Sequence, residues 1–493
     1  MERMHGSGTR GRDSVPQGAR FEGRFGRMFW NLPVFNPSDP ILNTLADVME
    51  QPSGDVENAE LPAGFTYLGQ FIDHDITHDA SSNLERVRDP DARVNFRTPR
   101  FDLDSLYGRG PVDSPFLYKR GTSELLTGLA KDDSGAELPG QFDLPRNSEG
   151  VALIGDPRND ENTFVSQLHL LFIKFHNRIV QDVIASGGFE QGDDLMKEVQ
   201  RIVRWHYQWI VVHDYVRRVV PPEVFASVLT THEETGFPKV STRFYELHRQ
   251  PYMPVEFAVA AYRFGHSQVR SSYSLNNVVR GLPTFMPDSQ LPADEASRRI
   301  ADFRGFRPLP NQWQPNWPLF FDFADGIPPQ MTNRIDTSMS APLHKLPGEP
   351  EGDRSKASLA FRNLKRSVEH SLPTGEWVAR AMGETPIDSP HTLGRTPLWF
   401  YVLEEATQQQ GGARLGNVGG RIVAEVLLGL LAGDPLSYIN VQPNWTPERE
   451  QMRTPEGFPV DSMVNLIRYA DPQNAVRQPD VDPGGGGGGG WNA

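Results

Sequence analysis

Residues 69–75 read Gly-Gln-Phe-Ile-Asp-His-Asp, an imidazole, an amide and two carboxylates in one short stretch. At helical spacing Gln70 and His74 are i and i+4 and share a face. Asp73 sits at the edge of that face, and Asp75 points to a different neighbour. A histidine held by a polar partner can take a proton from a bound oxygen and later return it. A lone histidine of this kind is more often a satisfied core residue. His74-Asp75-Ile76-Thr77-His78 also approximates the zinc-hydrolase pattern His-Glu-x-x-His, with Asp one methylene short of the usual base.

Four further groups carry chemistry. Arg158-Asn159-Asp160-Glu161 opens an apolar stretch, with Arg158 and Glu161 at i, i+3. A guanidinium there stabilises negative charge developing on oxygen, or simply forms a helix-start charge pair. Thr98-Pro99-Arg100-Phe101-Asp102-Leu103-Asp104 would, in an extended loop, bring Thr98, Asp102 and Asp104 together, with the Arg100 carbonyl between them. Such hard oxygen ligands suit Ca²⁺, and Asp75 adds a further carboxylate. Without Asp75 the segment would read as an acidic turn. Arg263-Phe264-Gly265-His266 ends an apolar run, and Gly265 permits close approach of a flat ligand or a second backbone. Asn363-Leu364-Lys365-Arg366 places an amide and a guanidinium at i, i+3. Asn363 can hold the second ring nitrogen of a metal-bound histidine.

The elements that must position these groups are helical. Phe164, Leu168, Leu171, Phe172, Phe175 and Ile179 form one stripe, which predicts a helix over about 160–183. Further helices are expected over 196–219, ended by Pro221-Pro222, over 254–266, and over 419–432, closed by Gly433. Strand-like alternation is scarce. Residues 283–350 carry twelve prolines and read as irregular loop with short helices. The fold class expected is mainly α: one large helical domain with long ordered loops and little β.

The chain has 493 residues, a formal net charge of −14 and no cysteine. The acidic balance argues against nucleic acid as a partner. Thiolate catalysis, thiolate metal sites and disulfides are excluded. No apolar run reaches the ~18 residues of a membrane span. The first residues, Met-Glu-Arg-Met-His-Gly-Ser-Gly, lack the apolar core of a signal peptide. Residues 1–24 are expected to be disordered, 25–470 to form the domain, and 471–493, with glycines at 484–490, to be a flexible tail.

The five groups, in this order, resemble the animal-type haem peroxidases of the peroxidase–cyclooxygenase superfamily. Gly69–Asp75 is similar to the distal helix, and Thr98–Gly108 to the calcium loop with its closing Tyr-Gly. Gly155–Glu161, with Leu168-His169-Leu170-Leu171 and His176-Asn177-Arg178, resembles the distal arginine helix. Arg263–His266 resembles the proximal helix. Asn363–Arg366, with Glu369-His370 and Leu372-Pro373, resembles the segment behind the proximal histidine. Ile335-Asp336-Thr337 and Trp317–Asp322 fit bacterial members. The likeness spans roughly residues 25–470.

The resemblance implies haem b with His266 as axial iron ligand, oriented by Asn363. It makes His74 the base that deprotonates H₂O₂, Gln70 the group that positions peroxide or water, and Arg158 the stabiliser of charge on the breaking O–O bond. Arg366 and Arg263 would pair with haem propionates or nearby carboxylates. Asp75, Thr98, Arg100, Asp102 and Asp104 would hold Ca²⁺. Asp73 and Glu161 stand where mammalian members form ester bonds to haem. A covalently attached haem is therefore expected. Asn162 follows Glu161 where some members place a sulfonium-forming Met, so no such link is expected.

The activity implied is reduction of H₂O₂ through an oxyferryl intermediate, with an organic or halide/thiocyanate reductant and a part in the response to oxidative stress. Family members are mostly extracytoplasmic, and the sequence leaves localisation and oligomeric state open. Three alternatives stand beside it: a fatty-acid dioxygenase on the same fold, a zinc hydrolase using His74 and His78, and a non-catalytic Ca²⁺-stabilised binding protein. Arg263 occupies the position of the radical-forming Tyr of dioxygenases, three residues before His266. Tyr262 is one residue off.

Overall fold

Long apolar stripes and few alternating runs give a helical body. The computed structural model describes residues 25–51, 54–78, 95, 97–132, 134–246, 251–350 and 352–479. Its principal helices are α1 (Asp39–Met49), α2 (Gly64–Ile76), α3 (Thr163–Ala185), α4 (Asp193–Ile210), α5 (Leu359–Glu369), α6 (Gly375–Met382), α7 (Leu398–Gln410), α8 (Asn417–Gly433) and α9 (Met463–Ala470). The described strands form four two-stranded antiparallel pairs, such as Glu57–Pro62 with Met331–Asn333. No described helix is long and apolar enough to cross a membrane.

α3 is the spine. Asn162 caps it by accepting from the Val165 N–H, and the stripe read from the sequence is buried along its length. It packs against α2, α4 and α9. Phe71 of α2 stacks on Phe172 of α3 at 4.8 Å, and both meet Tyr207 of α4 edge-on. Burying a ring of this size stabilises the fold by roughly 1.5–3 kcal/mol. α2 is buried on nearly every side. Gly69 lets Tyr215 approach it closely, since a methyl there would run into the Tyr215 hydroxyl.

Two expected helices differ from the fold. The stretch expected over 196–219 is α4 to Ile210, then a wider π turn over Val211–Val216 that carries Tyr215. The stretch expected over 254–266 divides into one α turn, Val255–Ala258, and a 3-10 turn, Ala261–His266. The backbone changes direction at Ala260, with φ −128° and ψ −80°. The prolines of 283–350 hold an irregular segment with short turns, as expected. Residues 471–479, expected within the tail, are bonded to the body. Asp471 accepts from Lys174 at 2.9 Å and from the Trp317 indole, and Arg477 reaches Asp325. The expectations for 1–24 and for 480–493 lie outside the described residues.

Candidate functional site

A cavity of about 680 Å³ lies between α2, the turn at 157–161, the 3-10 turn 261–266 and α5. Its lining brings together Gln70, Asp73, His74, Glu161, Arg263, His266, Asn363 and Arg366. Residues separated by nearly 300 positions thus share one chamber. Arg304 and Arg362 add two further guanidinium groups, and Phe285, Phe306, Leu343 and Leu346 supply apolar wall.

His74 is buried on α2. Its Nδ1 lies 2.7 Å from Asn159 Oδ1, and its Nε2 lies 3.7 Å from Glu161 Oε1. Burial, with Arg158 next, holds the imidazole well below its usual range, at about 4. The ring is neutral at ordinary pH. Gln70, one turn earlier, donates to Glu161 and accepts from Asn162 at 3.1 Å. Glu161 faces the chamber, and burial raises its carboxyl to about 7 against the pull of Arg158. Asp73 accepts from the Thr77 hydroxyl at 2.8 Å and lies 3.9 Å from Arg263. Burial raises its carboxyl, but Arg263, His74 and Arg158 together leave it below the usual value.

Arg158 stands differently from the sequence expectation. It is not part of the cavity lining. Its guanidinium grips Asp156 at 2.7 Å and donates to the carbonyls of His74 and Thr77, at 3.0 and 2.7 Å. It closes the C-terminal end of α2, where carbonyls lack helical partners and a cation is favoured.

His266 ends the 3-10 turn. The Asn363 amide nitrogen lies 2.9 Å from its Nδ1 and donates to the Leu359 carbonyl at 3.0 Å; with the amide turned over, its oxygen would accept Nδ1–H and leave Nε2 open. Burial first, then Arg263, keeps this ring neutral, with its value lowered to about 3. Arg263 is fixed by its own bond to the Ala258 carbonyl at 2.9 Å, and Arg362 lies 3.6 Å from Glu349.

Asp75, on the far side of α2, meets Asp102 and Asp104, all buried, with ligand oxygens within 4.8 Å of one another. The Tyr207 hydroxyl faces the Asp75 carboxyl without closing a well-formed hydrogen bond, and Asp104 Oδ2 is unpartnered. Burial and the mutual repulsion of these carboxylates raise Asp75 well above the usual range, and Asp104 to about 7. Buried, unpartnered oxygens in such a set suit a hard cation. Thr98 joins the group through its hydroxyl, 2.9 Å from Asp102. The Arg100 side chain instead reaches Asp434 at 3.1 Å.

The zinc-hydrolase reading loses its premise here. α2 stops at Ile76, Thr77 is extended, and His78 leaves the helix face that carries His74. Among the described residues, the group of three or more metal-ligating side chains is Asp75, Asp102 and Asp104. Sequence reasoning assigned no role to Asn159, Asp156, Arg97, Arg304 or Arg362. Asn159 and Asp156 lay beside a residue already singled out. Arg97 binds Asp104 at 2.9 Å and Asp156 as well, linking the acidic group to the Arg158 end of α2.

The sequence model of the animal haem peroxidase family matches residues 77–396. Heme peroxidase 2 of Caenorhabditis elegans is 27% identical over 177 residues, 35% of this chain and 24% of the relative. Thyroid peroxidase of Canis lupus familiaris is 29% identical over 314 residues, 58% of this chain and 29% of that protein. The matches thus span less than a third of these relatives' length. Among solved structures, peroxidase A from Dictyostelium discoideum superposes with a TM-score of 0.61 at 17% identity, covering 93% of this chain and 94% of that one. The fatty acid α-dioxygenase of Arabidopsis thaliana superposes with a TM-score of 0.59 at 15% identity, covering 90% and 77%. These two likenesses concern the fold.

Proposed function

The chain belongs to the animal haem peroxidase family, and from that premise we propose that it reduces H₂O₂ at a haem b in the central cavity and oxidises a small organic, halide or thiocyanate reductant. The observation that carries this reading is the pairing of two neutral histidines in one chamber, each with its Nδ1 engaged by an asparagine. The residues fit the group. With the Asn363 amide turned so that its oxygen accepts Nδ1–H, His266 would offer Nε2 to an iron, and Arg263 and Arg366 would offer cationic partners for propionates. Asp73 and Glu161 line the chamber where ester bonds to the macrocycle would form. The acidic group at Asp75, Asp102 and Asp104, with Thr98 and the Arg100 carbonyl, would hold Ca²⁺.

Bound haem supplies the redox chemistry, taking up the two oxidising equivalents of peroxide and passing them to the reductant. The protein handles the proton. His74 Nε2 would take it from one oxygen of H₂O₂ and return it to the other, which leaves as water. Gln70, anchored between Glu161 and Asn162, places the peroxide or a water beside that nitrogen. Arg158 acts from behind: its charge adds to burial in keeping His74 unprotonated, and its bonds fix the end of α2. The dioxygenase alternative lacks its tyrosine, since Arg263 stands there. Tyr262 lines the chamber but turns its hydroxyl to the Gly69 carbonyl at 3.2 Å.

The test is the absorption spectrum of the haem-loaded protein before and after stoichiometric H₂O₂. A ferric Soret band that shifts on adding peroxide and returns on adding a reductant is expected. No Soret band, or oxygen uptake with a fatty acid in place of peroxide turnover, would overturn the reading.

A further inference from the structure

Behind His74 lies a polar chain that faces no ligand. Asn159 is fully buried in the turn Pro157–Asp160. Its Oδ1 lies 2.7 Å from His74 Nδ1, and its amide nitrogen lies 3.0 Å from Nδ1 of His169. His169 stands on α3, is 1% exposed, and packs its ring edge-on against Phe71 of α2. Neither Asn159 nor His169 lines the cavity.

We infer that Asn159 and His169 are positioning residues that select the tautomer of His74. The inference rests on the reading of His74 as the base. His74 can take a proton at Nε2 only when its own proton sits on Nδ1. Nδ1–H needs an acceptor, and Asn159 Oδ1 is placed to be one. An asparagine amide has nearly the same shape when turned over. Reversed, it would donate to His74 Nδ1 and drive the proton onto Nε2, a form that cannot accept there. His169 couples this choice to its own tautomer. With its proton on Nε2, its Nδ1 accepts the Asn159 amide N–H and the amide oxygen is left for His74; with its proton on Nδ1, the amide turns over and His74 is left with Nε2–H. Asn159 and His169 are both buried, so the choice is made between these two side chains. The orientation of the base is thus set two side chains away, on a different helix.

The experiment compares Asn159→Ala, His169→Phe and His169→Gln with His74→Ala, all in the haem-loaded full chain. Stopped-flow rates are read for H₂O₂, for HCN, whose proton the same base must take, and for the reductant step. ¹⁵N-histidine spectra of the full chain report which nitrogen of His74 is protonated. Asn159→Ala and His169→Phe should slow the peroxide and cyanide steps by roughly 10- to 100-fold, the range for lost orienting partners. Haem content and the reductant step should be unchanged. His169→Gln, whose Oε1 can accept from the same amide, should restore most of the rate and the Nδ1–H form. If the phenylalanine variant does not fold, the alanine and glutamine variants carry the test. Wild-type rates and an unchanged His74 tautomer in Asn159→Ala, beside a slow His74→Ala, would overturn the inference and leave the base in place. A His74→Ala that itself reacts at the wild-type rate would overturn both.

Discussion

His74 and His266 are the same side chain given two different surroundings by their partners. Both are kept neutral by burial, and both have Nδ1 engaged by an asparagine. His74 faces Glu161 and Gln70, a proton-handling surround, whereas His266 stands beside Arg263 within reach of Arg366. Replacing His74 with alanine should slow the reaction with H₂O₂ by roughly 10²- to 10⁴-fold, the usual worth of a placed acid–base group, while haem stays bound. Stopped-flow spectroscopy reads this directly, and a wild-type rate would remove His74 from the reaction. The two carboxylates of the chamber yield a second expectation. Haem in the wild-type chain should resist acid–organic extraction, because Asp73 and Glu161 both line the cavity and would each esterify it. The pair Asp73→Asn and Glu161→Gln should release it freely. Free release from the wild-type chain would show that these carboxylates form no bond.

α2 carries His74 on one side and Asp75 on the other, so the element is loaded by the acidic group behind it. Burial and neighbouring carboxylates raise Asp75 and Asp104, so without a cation the folded cluster retains protons that the unfolded chain would lose. A raised carboxyl favours the fold at low pH, and that contribution is lost as pH climbs from about 4 towards about 7. A divalent cation removes the repulsion, but at acid pH it must displace protons first. Ca²⁺ should therefore raise the melting temperature clearly at pH 7 and only slightly at pH 5, and Asp75→Asn should abolish the difference. An equal shift at both pH values would mean that the cation binds elsewhere. At this scale the sequence was legible where one face differs from the other. α3 follows its apolar stripe to within a few residues at either end. The run Val255-Glu256-Phe257-Ala258-Val259-Ala260-Ala261-Tyr262 is buried throughout, so its pattern has no phase and could not reveal the change at Ala260 that aims His266. The residues that line the chamber were readable one at a time, from local spacing. Their long-range partners were not: Asn159 meets His74 across 85 residues and Asn363 meets His266 across 97, pairings that packing of helices creates. The outward turn of Arg158 was equally invisible, because it depends on carbonyls freed where α2 ends.

Across the whole molecule, imidazoles are buried as neutral hydrogen-bonding groups well away from the chamber as well as within it. His176 lies between the Tyr107 hydroxyl at 3.1 Å and the Ser123 carbonyl at 2.8 Å, and His206 gives its Nδ1–H to the Ile202 carbonyl at 2.8 Å. Burial lowers both to about 4, and His169 to about 3. The unfolded chain takes up these protons near pH 6.5, whereas the folded chain refuses them until far lower pH. A depressed histidine thus makes the unfolded state the better proton acceptor, so stability falls as pH drops from about 6.5 to about 4 and levels off below. Within that window each such histidine removes roughly 1.4 kcal/mol per pH unit. Asp156, held far below the usual carboxylate range by Arg158 and Arg97 against its burial, adds to the loss once pH falls below about 4. The acidic group beside α2 works in the opposite direction when no cation is bound, so the measurement belongs in saturating Ca²⁺. Glu161, Glu404 and Glu405, raised to about 7, and Asp336, raised to about 6, oppose the trend as well. They are outnumbered by the six depressed histidines His74, His169, His176, His206, His213 and His266. Urea unfolding midpoints there should fall steadily from pH 7 to pH 4.5, with the steepest change between pH 6 and pH 5. A midpoint that stays level across that range would mean that the buried histidines accept protons in the folded chain, and the neutral-imidazole packing argued for this molecule would be wrong.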